Sequence, residues 1–147
     1  MPTLARNKKA SFDYDFVKEI EGGLVLTGAE VKAVRQGHIQ LKGSYLTVQN
    51  GELYLKNAYI AKYAPAGSQE GYDPYRIRKV LVHRKELAII AEKKSSEGLT
   101  IVPVSVYTKG NFIKLGFAIA RGKKKHEKRD SIKKRDIERQ MRTAMKE

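Results

Sequence analysis

The chain has 147 residues, of which 41% are apolar and 31% charged, so one small domain with a modest core is favoured over a wholly disordered chain. It contains no cysteine, which excludes disulfides, thiol catalysis and cysteine-ligated zinc. Residues 1–10 are polar and basic, and no apolar run approaches the length of a membrane span. We therefore expect a cytoplasmic protein without a membrane partner.

The formal net charge of +14 predicts an anionic partner. Residues 1–120 hold 18 basic and 11 acidic side chains, and residues 121–147 hold 12 and 5, so each part carries a net charge of +7. All aromatic residues lie between Phe12 and Phe117, which predicts a folded body at residues 1–120 and a basic tail at residues 121–147. Few large apolar residues of the tail could enter a bilayer, so nucleic acid is favoured over an anionic membrane surface. A solvated charge run that only improves solubility is the simpler alternative.

The first elements are predicted from local alternation. Residues 1–11 are expected to form a flexible basic lead. Phe12, Tyr14 and Phe16 alternate with aspartates, which predicts a strand that begins at Phe12. Gly22-Gly23 follows and permits a bend or a bulge in the backbone.

Two local signals in the next part of the chain have a defined geometry. Thr27 and Glu30 have the spacing of a capping box, which predicts a helix that ends at Gly37. Asn50-Gly51 lies inside a β-rich segment at residues 45–55, and this dipeptide supplies the positive φ angles of a tight hairpin turn. We therefore expect a helix followed by a β-hairpin.

The second half begins with a Gly- and Pro-rich loop at residues 64–75. Apolar spacing then predicts a helix from Arg84 to Lys94. A β-rich run from Leu99 to Tyr107 follows, and Pro103 places it at a sheet edge or at a bulge. Residues 112–120 alternate cleanly between the two faces of a strand.

About six short strands, two short helices and hairpin-type connections predict a mainly β protein. A small antiparallel β-barrel of the oligonucleotide-binding (OB) type, with short flanking helices and a disordered or helical basic tail, fits this pattern best. An SH3-like barrel and an unspecified α+β sheet are the alternatives.

Motifs of catalysis are absent from the sequence. The histidines lie in different kinds of segment without metal-ligand spacing, and neither a phosphate-binding loop nor a nucleophile elbow occurs. We therefore expect no catalytic residue, no metal and no cofactor.

Aromatic residues beside basic ones are candidate base-stacking positions, because phosphates and bases can then be bound together. These pairings are Tyr14 with Lys8 and Lys9, and Tyr75 with Arg76 and Arg78. A place in the core is the ordinary alternative for each tyrosine. In the tail, Ile137, Met141 and Met145 (or Ala144) share one helical face, so this segment is expected to fold on an RNA surface.

Short strings in a fixed order between Leu4 and Arg139 are more specific than any basic patch. They include Asn7-Lys8-Lys9-Ala10, Glu21-Gly22-Gly23-Leu24, Gly28-Ala29-Glu30-Val31-Lys32, Arg35-Gln36-Gly37, Gly43-Ser44-Tyr45, Arg76 through Leu81, and Ala120-Arg121-Gly122-Lys123-Lys124. In these strings the chain resembles the SmpB family of SsrA-binding proteins. The resemblance implies an OB-type barrel and a non-catalytic RNA-binding adaptor of trans-translation. Such an adaptor binds the tRNA-like domain of transfer-messenger RNA and delivers it to stalled ribosomes for rescue and peptide tagging.

The resemblance also implies site residues and partners. The residues that match the family's contacts with the tRNA-like domain are Asn7, Lys8, Lys9, Tyr14, Glu21, Leu81 and Lys114. Those that match its ribosome-contacting tail are Gly122, Lys123, Lys124, His126, Glu127, Lys128 and Arg129. The family commonly has aspartate at the position of Glu127. The implied partners are transfer-messenger RNA, small-subunit RNA in the decoding region of the ribosome, and elongation factor Tu.

Two other classes of function remain open from the residues alone. A structural ribosomal protein or a general nucleic-acid-coating protein would account for the charge, but not for the ordered strings. An enzyme acting on RNA would need a carboxylate cluster or a metal.

Overall fold

A computed structural model describes residues 3–63 and 71–123. The helices within these residues are α1 (Ala10–Asp13), α2 (Gly28–Arg35) and α3 (Arg84–Glu97). The strands are β1 (Thr3–Arg6), β2 (Tyr14–Leu24), β3 (Ile39–Gln40), β4 (Tyr45–Gln49), β5 (Glu52–Lys56), β6 (Tyr59–Ile60), β7 (Arg78–Leu81), β8 (Thr100–Lys109) and β9 (Phe112–Gly122). The predicted tail from residue 124 onward lies outside the described residues, as does most of the predicted loop at 64–75.

Antiparallel strands form a ring. Its hydrogen-bonded order is β8, β4, β5, β7, β2 and β9, and β9 pairs back to β8. Strand β1 adds to β8, while β3 and β6 form a separate two-stranded sheet. This arrangement confirms the predicted mainly β, antiparallel fold class, and a ring of strands is what a small barrel requires.

Strand β9 shows how the core is filled. Ile113, Leu115, Phe117 and Ile119 alternate along it, and all four side chains are buried, as the alternation predicted. They belong to one apolar cluster, to which α3 contributes the buried Ile90. Burial of each large side chain contributes about 1.5–3 kcal/mol to folding.

The opposite face of β9 is also covered near its end. Ala118 and Ala120 form a second, smaller buried cluster with Ala10 of α1 and Val102 of β8. The predicted start of a strand at Phe12 is therefore wrong, because residues 10–13 form a helical turn that packs Ala10 on this face. Strand β2 begins two residues later, at Tyr14.

The expected flexible lead at residues 1–11 is also wrong for residues 3–6, which form β1. Thr3 pairs with Tyr107 and Arg6 pairs with Ser105 of β8. Strand β8 pairs with β9 on both sides of a bulge that follows Pro103. Its second partner changes at this bulge, from β4 before it to β1 after it. The bulge at Pro103 confirms the interpretation of this proline, which has no N–H to donate to a regular ladder.

Gly22-Gly23 is not the site of a bulge. Both glycines keep regular pairing with β9, and the irregularity of β2 lies between Phe16 and Lys18. Gly22 is instead required by packing, since a Cβ there would lie 2.7 Å from Cγ1 of Val80 and 3.2 Å from Cε1 of Phe117.

The two local signals with defined geometry are confirmed. The Thr27 side chain accepts a hydrogen bond from the N–H of Glu30 at 3.2 Å, and the N–H of Thr27 donates to Glu30 Oε1 at 3.0 Å. In the β4–β5 hairpin, Asn50 and Gly51 have φ angles of 53° and 73°. Helix α3 begins at the predicted residue and continues to Glu97, where Gly98 ends it with a φ of 63°.

Strand β9 continues past the predicted end of the body at residue 120. Arg121 and Gly122 remain paired with β2, opposite Asp15 and Tyr14. The backbone N–H of Lys123 then donates to the carbonyl oxygen of Asp13 at 3.0 Å. The division into a body and a tail stays a prediction, and Lys123 is the last described residue before that tail.

Candidate RNA-binding surface

The seven body residues that the sequence singled out fall into two groups, one near each end of β2. Tyr14 begins this strand, and Glu21 lies seven positions further on. Because a strand rises about 3.3 Å per residue, the two groups lie on the order of 20 Å apart. The candidate surface is therefore extended.

The first group surrounds Asn7, which is hydrogen-bonded to strand β8. Its side-chain amide donates to the carbonyl oxygen of Pro103 at 3.0 Å. Its backbone N–H donates to the carbonyl oxygen of Val104 at 2.8 Å. These bonds fix the N-terminal segment to the bulge in β8. Asn7 therefore sets the position of the two exposed lysines that follow it, Lys8 and Lys9.

Lys42 joins these two lysines from a distant part of the chain. Lys8, Lys9 and Lys42 line a shallow recess of about 250 Å³, which we call the N-terminal basic recess. A neighbouring recess of about 330 Å³ is lined by Lys9, Lys42, Tyr14 and Tyr45 among others. Sequence reasoning missed Lys42 because no local pattern connects it with residues 7–9.

The second group meets because of the strand register. Gly23 of β2 is opposite Leu81 of β7 on one side and Lys114 of β9 on the other. Glu21, Leu81 and Lys114, together with Phe112, line an open cavity of about 650 Å³, which we call the Glu21 cleft. The fold thus brings three of the predicted residues to one site.

Leu81 and Phe112 present apolar surface at this cleft. Leu81 is 54% exposed and Phe112 is 68% exposed, so neither is a core residue. The ammonium of Lys114 lies 5.6 Å from the centre of the Phe112 ring, within range of a cation–π interaction. Phe112 was not singled out from the sequence because the pattern predicts only that it belongs to an alternating strand.

Two neighbours hold the Glu21 carboxylate. The Tyr107 hydroxyl donates to Oε2, and Lys109 Nζ lies 3.3 Å from Oε1. The hydrogen bond from Tyr107 lowers the pKa of Glu21, opposed by burial and assisted by Lys109 and Lys114. Burial, followed by Glu21 itself, raises the pKa of Tyr107 to about 12. Glu21 is therefore a fixed, ionised hydrogen-bond acceptor at neutral pH.

The expectation that Arg78 pairs with an exposed Tyr75 is wrong. Tyr75 is exposed and its ring lies 5.4 Å from that of Tyr59, but Arg78 is completely buried. Arg78 Nη2 lies 2.5 Å from Glu30 Oε2, and Arg76 forms a second ion pair with the same carboxylate. Sequence spacing could not show this, because Glu30 lies on α2.

This buried network fixes the segment that leads into β7. Arg78 Nη1 also donates to the carbonyl oxygens of Ala58 and Pro74, at 2.8 and 3.0 Å. Burial would raise the pKa of Glu30, but hydrogen bonds from Arg76, the N–H of Thr27 and Arg78 outweigh it and lower the pKa to about 2. The Glu30 carboxylate thus completes the capping box with Thr27 at the start of α2 and is also the anion at the centre of this network.

Only the beginning of the predicted ribosome-contacting tail is described. Gly122 ends β9, and Lys123 Nζ donates to the carbonyl oxygen of Ser11 at 3.0 Å and lies 4.0 Å from Asp15 Oδ1. The other predicted tail residues, Lys124, His126, Glu127, Lys128 and Arg129, lie outside the described residues.

Across residues 3–63 and 71–123, no group of three or more His, Asp or Glu side chains is placed so that it could hold a metal ion. No helix in that part of the chain is long and apolar enough to cross a membrane.

Comparison with known proteins gives one consistent family. The model of the SmpB protein family matches residues 4–147. An SsrA-binding protein of Persephonella marina is 43% identical over 138 residues, covering 94% of this chain and 90% of the relative. An SsrA-binding protein of a Sulfurihydrogenibium species is 45% identical over 143 residues, covering 97% and 93%.

A solved structure agrees with this match. It is described as "tmRNA-SmpB: a journey to the center of the bacterial ribosome", superposes with a TM-score of 0.67 at 40% identity, and covers 85% of this chain and 87% of its own. The match therefore extends from the sequence to the arrangement of the strands. The chain belongs to the SmpB family of SsrA-binding proteins.

Proposed function

We propose that this chain is the RNA-binding adaptor of trans-translation. It binds the tRNA-like domain of transfer-messenger RNA and delivers that RNA to stalled ribosomes for rescue and peptide tagging. The family match over residues 4–147 carries this proposal, because it includes both the body and the basic tail. The relatives are named for binding SsrA, and the description of the similar solved structure names tmRNA-SmpB and the bacterial ribosome.

The body is assigned to the tRNA-like domain. Its proposed contacts lie in the N-terminal basic recess, in the recess beside it that Tyr14 lines, and in the Glu21 cleft. They are Asn7, Lys8, Lys9, Tyr14, Glu21, Leu81 and Lys114. Lysines lie at both ends of this extended surface. They can bind phosphates of an RNA on each side of the bases that the surface contacts. The exposed apolar surface of Leu81 supports its role as a contact residue rather than a core residue.

The tail is assigned to ribosomal RNA in the decoding region. The proposed contacts are Gly122, Lys123, Lys124, His126, Glu127, Lys128 and Arg129. Elongation factor Tu is the third proposed partner. In this scheme the protein acts in the cytoplasm and contributes no catalytic group, since peptide transfer belongs to the ribosome and GTP hydrolysis to the factor.

A binding competition tests the proposal. The full chain and a chain ending at Lys123 are each incubated with the labelled tRNA-like domain and an excess of ordinary tRNA at moderate salt. We expect both proteins to prefer the tRNA-like domain, because the proposed contacts of the body are intact in each. Equal binding of the two RNAs by the full chain would contradict the proposal.

A general RNA-coating protein is the alternative that this experiment excludes or supports. Such a protein binds through phosphates alone, with a log–log salt slope of about −0.7 for each contact on single strands, and selects little among RNAs. The fixed carboxylate of Glu21 argues against it, because a carboxylate repels phosphates and is suited to accept hydrogen bonds from bases or riboses.

A further inference from the structure

The Glu21 cleft combines features that a site for phosphates alone would not need. An ionised carboxylate lies beside two exposed apolar side chains, Leu81 and Phe112, and a lysine. The cavity of about 650 Å³ is within the range of roughly 300–1,000 Å³ that is usual for sites that enclose a small organic group. A single unpaired nucleotide has these dimensions and this mixture of chemistry.

The apolar side chains provide a surface for the flat face of a base. Phe112 is 68% exposed at the mouth of the cleft, and Leu81, from β7, is 54% exposed. Stacking of a base on an aromatic ring stabilises single-stranded complexes and depends little on the identity of the base. Phe112 can therefore hold a base but cannot identify it.

Identification falls to Glu21, which can only accept hydrogen bonds. A carboxylate has about four acceptor positions, and Tyr107 and Lys109 occupy one on each oxygen. The side chain remains 36% exposed, and it lines the cleft, whose lining does not include Tyr107. Two acceptor positions on a fixed carboxylate are therefore available to a ligand.

Among the four bases, guanine matches this acceptor pair best. Its Watson–Crick edge carries two adjacent donors, the N1–H and the N2 amino group, which a carboxylate can accept together. In adenine and cytosine the amino donor lies next to a ring nitrogen that is itself an acceptor, and in uracil the N3–H lies between two carbonyl oxygens. Each of these would place an acceptor against the carboxylate.

We propose that the Glu21 cleft recognises an unpaired guanine, which stacks on Phe112 and donates from N1–H and N2–H to the Glu21 carboxylate. Lys114 neutralises the adjoining phosphate. This inference rests on the proposed function, because it names the kind of nucleotide that the body selects in its RNA.

Three RNA hexanucleotides that differ at one base test the proposal. The isotope-labelled full chain is titrated with 5′-UUGUUU-3′ and with versions that carry inosine or adenine in place of guanine, and binding is followed at the backbone amides of Leu81, Phe112 and Lys114. The guanine RNA should bind about fivefold or more tightly than either of the others, as expected for a bidentate contact. Inosine matters most, since it lacks only the N2 amino group.

Substitutions assign the preference to the carboxylate. Glu21→Gln should reduce the preference for guanine to within about twofold, because an amide presents one acceptor and one donor. Glu19→Gln is the matched control: Glu19 is exposed on the same face of β2 but does not line the cleft, so the preference should remain. Phe112→Leu should weaken all three RNAs together.

Several results would overturn the inference. One is equal binding of the guanine and adenine RNAs, and a second is a guanine preference that survives in Glu21→Gln. A third is the absence of binding at the amides of the cleft. The last is that replacing the guanosine by 2′-deoxyguanosine lowers the affinity as much as replacing it by inosine. The last result would mean that Glu21 reads a ribose hydroxyl. If the tRNA-like domain is not preferred over tRNA while the guanine preference holds, the proposed function fails and only the guanine specificity of the cleft is supported. If the opposite is found, only this inference fails.

Discussion

The Tyr107 hydroxyl donates a hydrogen bond to the Glu21 carboxylate across a strand that lies between them. Tyr107 is on β8 and Glu21 on β2, while Gly116 of the intervening β9 is opposite Glu21 in the register. A Cβ at Gly116 would lie 3.4 Å from Cε1 of Tyr107 and 3.3 Å from Oγ of Ser105. The absence of a side chain at Gly116 therefore leaves the space through which the tyrosine reaches the carboxylate.

Tyr107→Phe should raise the pKa of Glu21 toward its ordinary value of 4.5, because the hydrogen bond from Tyr107 is the largest cause of its lowering. The measurement is an NMR titration of the Glu21 side-chain carboxyl. Tyr54→Phe is the matched control, since Tyr54 donates to Glu52 at 2.6 Å and not to Glu21. The pKa of Glu52 is lowered by the hydrogen bond from Lys79 and then by that from Tyr54. An unchanged pKa of Glu21 in Tyr107→Phe would show that the lysines alone set its charge.

The stability of the fold should depend on pH through Glu30. Its pKa is about 2 in the folded state, below the ordinary value of 4.5, so the folded state favours the ionised carboxylate. This stabilisation is complete above about pH 4.5 and declines as the pH falls toward 2. Urea denaturation measured at intervals from pH 6 to pH 2 should show the decline.

Glu30→Gln should remove most of that pH dependence and destabilise the fold by about 3–5 kcal/mol at neutral pH, because Arg78 would remain buried without an anion. Glu97→Gln is the control, since Glu97 forms an exposed pair with Lys93 at 3.3 Å and should change stability by less than about 0.5 kcal/mol. Equal stabilities of the two variants at pH 7 would refute the central place of Glu30.

Replacement of two adjacent glycines by alanine should have different effects on the stability of the fold. Gly22→Ala places a Cβ 2.7 Å from Val80 and should cost about 1–3 kcal/mol of unfolding free energy by overpacking the core. At Gly23 the nearest heavy atom to an added Cβ is 3.7 Å away, so Gly23→Ala should be neutral or slightly stabilising. Chemical denaturation of both variants provides the comparison, and similar losses in the two would disprove the close approach at Gly22.

Lys42 should contribute a phosphate contact at the N-terminal basic recess. Lys42→Gln should reduce the log–log salt slope for binding the tRNA-like domain by about 0.7–0.9 without changing the preference over tRNA. Lys93→Gln on α3, outside both proposed contact sites, should leave the slope unchanged. If Lys42→Gln and Lys93→Gln give the same slope, the recess is not a phosphate site.

Removal of residues 124–147 should separate RNA binding from tagging. The truncated chain keeps β9 and the contacts of Lys123 with Ser11 and Asp15, so we expect the affinity for the tRNA-like domain to be largely retained. Tagging of stalled peptides in a reconstituted translation system should be lost, since all the proposed contacts with ribosomal RNA beyond Lys123 are removed. Tagging at the full-length level by this truncated chain would contradict the division of labour.

The sequence predicted those parts of the fold that depend on residues close together along the chain. The capping box of Thr27 and Glu30 and the Asn50-Gly51 turn are complete within a few residues, so their geometry follows from residue type alone. Strand β1 and helix α1 escaped prediction because their partners, in β8 and β9, lie about a hundred residues away in the chain.

The candidate site divides in the same way. Glu21, Leu81 and Lys114 could be named from the family resemblance, but their meeting at one cleft depends on the register of three strands. Tyr107, Phe112 and Lys42 carry no local signal, and only the fold places them beside these residues. Glu30 gave a correct helix cap, while its burial against Arg78 required α2 to pack against β7.

Strand β9 has a further consequence for how the two proposed RNA contacts are related. It carries Lys114 near its beginning and ends at Gly122, and β2 and β8 hold it on both edges. At about 3.3 Å per residue, these two positions are separated by roughly 26 Å of paired strand. The described part of the protein thus contains a spacer held by strand pairing on both edges, and this pairing, rather than the RNA, sets the position of Gly122, where β9 ends. Inserting one residue into this spacer would turn the side chains beyond it to the opposite face of the sheet.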